Sequence, residues 1–130
     1  MELKDIKVLI CDDSVLIRKK LKEALTNLGC ETIIEAEDGQ VAVHRCKEHY
    51  PDIVFLDIVM PEKDGITALT EIKEVSPDTK VVMASSAGTQ SHLKKAIQLG
   101  AYDFIQKPLN NEAIDRVLQK VLSESEESHV

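Results

Sequence analysis

The chain has 130 residues, 43% of them apolar and 30% charged. That is the size of one domain, with enough apolar material for a core that needs no disulfide or metal staples. It excludes a disordered chain, a collagen-like repeat and a disulfide-rich mini-protein. Sixteen Lys and Arg against 23 Asp and Glu give a net charge of −7. Without a basic cluster, this is not the footprint of a nucleic-acid backbone binder.

No apolar run approaches the roughly 18 residues that span a bilayer. The first residues carry no basic-then-apolar leader pattern, so the expected setting is the cytoplasm, with no membrane and no nucleic acid as partners. Cys11, Cys30 and Cys46 are an odd set without C-x-x-C spacing, and read as small apolar core residues rather than redox or zinc ligands. Four scattered histidines (His44, His49, His92 and His129) show no metal spacing either. Trp is absent, and Tyr50, Phe55, Tyr102 and Phe104 are the only aromatics. The core is therefore aliphatic.

Taken in chain order, five short apolar runs alternate with five longer segments. The first run, 6–11, precedes a helical stripe of Ile17, Leu21, Ala24, Leu25 and Leu28 that stops at Gly29. The second run is 32–36. The third, 53–56, is uninterrupted Ile-Val-Phe-Leu, as a strand buried on both faces requires. Ser76-Pro77-Asp78 separates a helical segment from the fourth run, 80–84. Leu93, Ala96 and Ile97 then form a short stripe before Gly100, and the fifth run is 102–105. Asn110 or Asn111 can cap a last helix carrying Ile114, Val117, Leu118, Val121 and Leu122. Residues 123–130 read as a polar, fraying tail, which sets the domain at 1–122. Strict βα alternation predicts an α/β fold, a doubly wound five-stranded parallel sheet with right-handed crossovers.

Ligands of such sheets bind beyond the C-terminal ends of the strands. Those ends carry Asp12-Asp13-Ser14, Asp57, Ser85 and Lys107-Pro108. Each alone reads as a cap or turn residue. Together they bring three carboxylates, a hydroxyl and an ammonium to one edge. Clustered carboxylates repel one another, and a hard divalent cation relieves this; an oxygen-only set suits Mg²⁺. Asp57, central in the cluster, is then a candidate nucleophile toward phosphorus, with Lys107 and Ser85 on the phosphoryl oxygens.

Val8-Leu9-Ile10-Cys11-Asp12-Asp13, the segment from Asp57 through Pro61 to Asp64-Gly65, Ala84-Ser85, Gly100-Ala101 and the segment from Phe104 to Pro108 stand in an ordered set. This set resembles the response-regulator receiver domain of two-component signalling, similar to single-domain chemotaxis regulators, over residues 6–122. The resemblance implies the flavodoxin-like receiver fold. It implies Asp57 as phosphoacceptor, and Asp12, Asp13, Asp57 and the Val59 backbone carbonyl as holders of Mg²⁺. Ser85 matches the hydroxyl that reports the phosphoryl group, Phe104 the switch aromatic, and Lys107 the site lysine, with a cis Lys107-Pro108 peptide. The implied phosphoryl donor is a histidine kinase or histidine phosphotransfer protein. The implied output partner docks on the face of the fourth helix, fifth strand and fifth helix, where Lys94, Lys95 and Tyr102 lie. Cys11 departs from the commoner aliphatic residue. Phe104 lacks the phenolic hydroxyl of Tyr. Val59 and Ala87 offer no polar side chain to orient a water, which implies slow self-dephosphorylation.

Three other readings compete. A flavin binder needs Gly, Ser and Thr amides around its phosphate, and Asp12-Asp13 opposes that. An aspartate-nucleophile phosphatase would place a second acid two residues after Asp57, where Val59 stands. A receiver-like docking module that is never phosphorylated would have lost an acid or the lysine; none is missing. Beyond assisting its own phosphoryl transfer and dephosphorylation, the chain is not expected to be an enzyme.

Overall fold

A computed structural model describes residues 2–60, 63–86 and 90–127. Five strands, β1 (Lys7–Cys11), β2 (Thr32–Ala36), β3 (Ile53–Asp57), β4 (Lys80–Ser85) and β5 (Asp103–Gln106), alternate with five helices. The helices are α1 (Val15–Leu28), α2 (Gly39–His49), α3 (Gly65–Val75), α4 (Gln90–Gln98) and α5 (Asn111–Glu127). All strand pairs are parallel, in the order β2-β1-β3-β4-β5. This is the doubly wound, flavodoxin-like sheet expected from the alternation of runs. β3 lies at its centre, and all five of its residues are buried.

The period of two in the strands divides the core between the faces. Val8, Ile10, Ile53, Phe55 and Val82 pack with Leu21 and Leu25 of α1 and Ile114, Val117, Leu118 and Val121 of α5. Leu9, Cys11, Val54, Leu56, Val81 and Met83 pack with α2, α3 and Ala96 of α4. Both faces are covered, which explains why the runs of the inner strands β1, β3 and β4 are almost continuously apolar rather than alternating. The three cysteines are buried and free, as small hydrophobes should be. Ile97 departs from its expected stripe: it is 53% exposed, while Leu93 and Ala96 face the core.

Gly29 ends α1 at φ 116°, in the left-handed region, and its N–H bonds to carbonyls of the last turn. Asn110 caps α5, its Oδ1 accepting the Ala113 N–H at 2.8 Å. The C-terminal boundary differs from the sequence expectation. α5 runs past Leu122 to Glu127, and the Tyr102 hydroxyl donates to Glu124 Oε2 at 2.6 Å. That contact gives the polar turn a tertiary partner, so the helix continues where periodicity ends. Lys80 and Lys120 place their ammoniums 5.3 and 4.7 Å from the centre of the same Tyr102 ring. Among the described residues no helix is long and apolar enough to cross a membrane.

Candidate functional site

The sheet order reverses between β1 and β3, the strands whose C-terminal ends carry the acids. Asp12 follows β1, and its N–H donates to the carbonyl of Ala36 at the end of β2 (3.2 Å). The register sets Cys11 beside Leu56, so Asp12 and Asp57 leave the sheet side by side. Asp12 and Asp57 are buried, while Asp13 is exposed. One carboxylate oxygen from each of the three can be chosen so that all lie within 4.8 Å of one another. Ser14 then starts α1 as its cap, accepting the Ile17 N–H, and its own N–H donates to Asp12 Oδ1 at 2.9 Å.

Lys107 reaches this cluster from beyond β5. Its Nζ lies 2.8 Å from Asp12 Oδ2 and 3.2 Å from Asp57 Oδ2. Its backbone N–H donates to the Ser85 carbonyl at 2.6 Å, and the Lys107-Pro108 peptide is cis. Burial works against the ammonium, but the hydrogen bond to Asp12 and the two carboxylates more than offset it and hold Lys107 above the usual lysine range. Burial raises the Asp57 carboxyl; Lys107 pulls it part of the way back, and Asp12 pushes it up again. The net direction is upward.

Ser85 is buried at the last position of β4, one residue beyond Ala84, which stands opposite Asp57. Val59 is 58% exposed, and its N–H approaches Asp57 Oδ1 at 3.4 Å. Phe104, opposite Met83 in the β4–β5 pair, is 41% exposed and so is open to solvent at the sheet edge. Pro61, Ala87 and His129, also singled out in the sequence, lie outside the described residues.

Two further features have structural roles that the motifs do not explain. Gly65 lies against the phosphoacceptor candidate's own backbone: a Cβ there would sit 2.3 Å from the Asp57 carbonyl oxygen and 2.7 Å from Ile58 Cα. Its N–H donates to the Ile58 carbonyl at 2.8 Å, and Asp64 caps the helix that follows. Arg18 touches the site from behind, bonding the Asp12 carbonyl. The glycine was visible in the sequence only as part of a motif. The arginine carried no signal beyond being one of several cations on α1.

A parallel sheet with an acid cluster at its switch point and an ammonium delivered by the last strand is the arrangement of a receiver domain. The response regulator receiver domain family matches residues 8–119, and the chain belongs to it. The chemotaxis protein CheY of Bacillus subtilis is 44% identical over 117 residues, covering 90% of this chain and 98% of that protein. CheY of Thermotoga maritima is 43% identical over 115 residues, 88% and 96% of the two chains. The receiver domain of AraT, a response regulator from Geobacillus stearothermophilus, superposes with a TM-score of 0.87 at 30% identity, covering 96% and 98%. The chain is therefore a signalling module of the two-component type, and the readings as flavin binder or phosphatase fall away.

Proposed function

We propose that the protein is switched by phosphorylation of Asp57, with Mg²⁺ held by Asp12, Asp13, Asp57 and the Val59 backbone carbonyl. The observation that carries this is the convergence of three carboxylates within 4.8 Å with the Lys107 ammonium among them. The donor set is all oxygen, and Asp13 opens it to solvent, which fits a hard cation that keeps several waters. When bound, Mg²⁺ neutralises charge on the phosphoryl oxygens.

Asp57 attacks the phosphorus of a phosphohistidine in line; the new O–P bond forms as the P–N bond breaks, and the imidazole leaves with the electron pair. Lys107 neutralises a phosphoryl oxygen, and Ser85 donates its hydroxyl to another. The donor is a histidine kinase or histidine phosphotransfer protein, and the module meets it in the cytoplasm. Phosphorylation adds roughly two negative charges, and Ser85 and Phe104 carry that change to the face of α4, β5 and α5. Apart from this self-directed transfer the module has no substrate.

Incubation with acetyl phosphate and Mg²⁺ should add one phosphoryl mass to the intact protein. Asp57→Asn should take up none, and chelation should abolish the gain. A mass gain that survives Asp57→Asn would assign the chemistry elsewhere. For the output face, Lys94 and Lys95 are both exposed, and Ile97 and Leu99 beside them are exposed apolar residues. Lys94→Glu with Lys95→Glu should weaken partner capture by the phosphorylated protein without slowing its phosphorylation; slowed phosphorylation would move this face to the donor side.

A further inference from the structure

Arg18 sits one turn into α1, between the half-buried Ile17 and the exposed Lys19 and Lys20. Unlike those lysines its side chain is largely enclosed, with 14% exposed. The guanidinium makes two contacts in different directions. Nη1 donates to the backbone carbonyl of Asp12 at 2.7 Å, and Nε donates to Oε1 of Glu35 at 3.2 Å. Glu35 lies in β2, opposite Ile10 of β1, and also receives Lys22, Nζ to Oε2, at 3.7 Å.

Asp12 is engaged at every polar atom. Its N–H bonds to Ala36, its carbonyl to Arg18, Oδ1 to the Ser14 N–H and Oδ2 to Lys107. Of these partners Lys107 is shared with Asp57, so it is the one that the phosphoryl chemistry draws away. Orientation of the Asp12 carboxylate then rests on Ser14 and on the peptide that Arg18 and Ala36 hold. Arg18 supplies the charge-assisted member of that set. Its planar fork holds donors pointing in fixed, separate directions, so it spans two acceptors on different elements with less loss of freedom than an ammonium on a flexible stem. Glu35 both aims the fork and offsets its charge, so a cation attracted to the acid cluster meets little opposition from behind.

We infer that Arg18, oriented by Glu35, is a positioning residue that fixes the Asp12 carboxylate for cation binding by holding its peptide from the far side. The inference rests on the reading of Asp12, Asp13 and Asp57 as a Mg²⁺ site. Partners of this kind, one shell behind a metal ligand, typically change metal affinity by roughly 10- to 100-fold when removed.

The test is calorimetric titration of Mg²⁺ into the wild type, Arg18→Met, Arg18→Lys and Glu35→Gln. Melting curves in chelator and the ¹³C shift of the Asp12 carbonyl accompany each. Arg18→Met should weaken Mg²⁺ binding about tenfold and move the Asp12 carbonyl resonance without any metal present. Arg18→Lys, which can still reach the carbonyl, should recover part of the affinity, and Glu35→Gln should lose less than Arg18→Met. If Arg18→Met melts lower yet binds Mg²⁺ like the wild type, the pair merely staples α1 to β2 and the inference is overturned. Should Arg18→Met fail to fold, Glu35→Gln decides, because Glu35 is 40% exposed: unchanged affinity there overturns the inference. A wild type that binds no Mg²⁺ overturns the metal reading itself, an outcome distinct from wild type and Arg18→Met binding alike.

Discussion

The surroundings of Asp57 oppose its charge. Burial raises its pKa, Lys107 lowers it in part and Asp12 raises it again, so the folded state binds that proton more tightly than the unfolded chain does. By linkage, stability is lost as pH rises through the carboxylate range, and the full penalty stands above the folded value. Asp57→Asn should therefore melt higher than the wild type at neutral pH in chelator, with the gap closing toward about pH 4, the ordinary carboxylate value. A variant that melts lower at pH 7 would mean that the Lys107 pairing outweighs burial. The residues of this cluster were legible in the sequence because each ends a strand, and parallel strands bring their ends together. Arg18 was not legible. An arginine flanked by Lys19 and Lys20 looks like part of a solvated face, and no spacing announces that its partner is a backbone carbonyl.

The elements depend on close approaches that spacing does not record. Gly39, at the start of α2, would place a Cβ 2.3 Å from the Lys63 carbonyl oxygen, and Gly65 one equally near that of Asp57. Both meet backbone, which cannot swing aside as a side-chain end can. Gly65→Ala should cost roughly 1–3 kcal/mol, the usual range for forced overpacking, and should slow phosphorylation by displacing Asp57; denaturant melts and the acetyl phosphate assay read the two effects. A substitution silent in both would show that the β3–α3 loop shifts freely. Helix punctuation was largely readable: Gly29, Gly100 and Asn110 do what their chemistry suggests. The end of α5 was not. Ser123 and Glu124 look like tail, and the bond that keeps them helical comes from Tyr102, distant in sequence. Ile97 misled for the opposite reason, an apolar residue at a plausible period that lies outside the contact between α4 and the sheet.

At the scale of the molecule, the sheet carries two separate apolar layers, and the cysteines are divided between them: Cys11 and Cys46 on one side, Cys30 on the other. Burial pushes the Cys46 thiol up to about 12. It raises Cys11 as well, with Asp38, Asp12 and Asp57 adding to the effect, and raises Cys30 by burial alone. Thiolate is then scarce at any ordinary pH. At pH 8 an aromatic disulfide reagent should label none of the three in the native protein except through global unfolding, so all three should react with one shared rate. A single fast thiol would reveal a local opening of one layer. The two-layer arrangement was legible from the continuous apolar runs, since only a strand covered on both faces can be apolar throughout.

The ammonium that meets Asp12 is 95 residues downstream of it. No shorter stretch of chain holds both groups, so the charge balance of the site exists only once β5 has closed the edge of the sheet. A nascent or partly unfolded chain with β1 and β3 in place would present three mutually repelling carboxylates and no lysine. The charge balance of the site is thereby tied to completion of the sheet: until β5 has paired with β4, the acid cluster lacks the ammonium that offsets it.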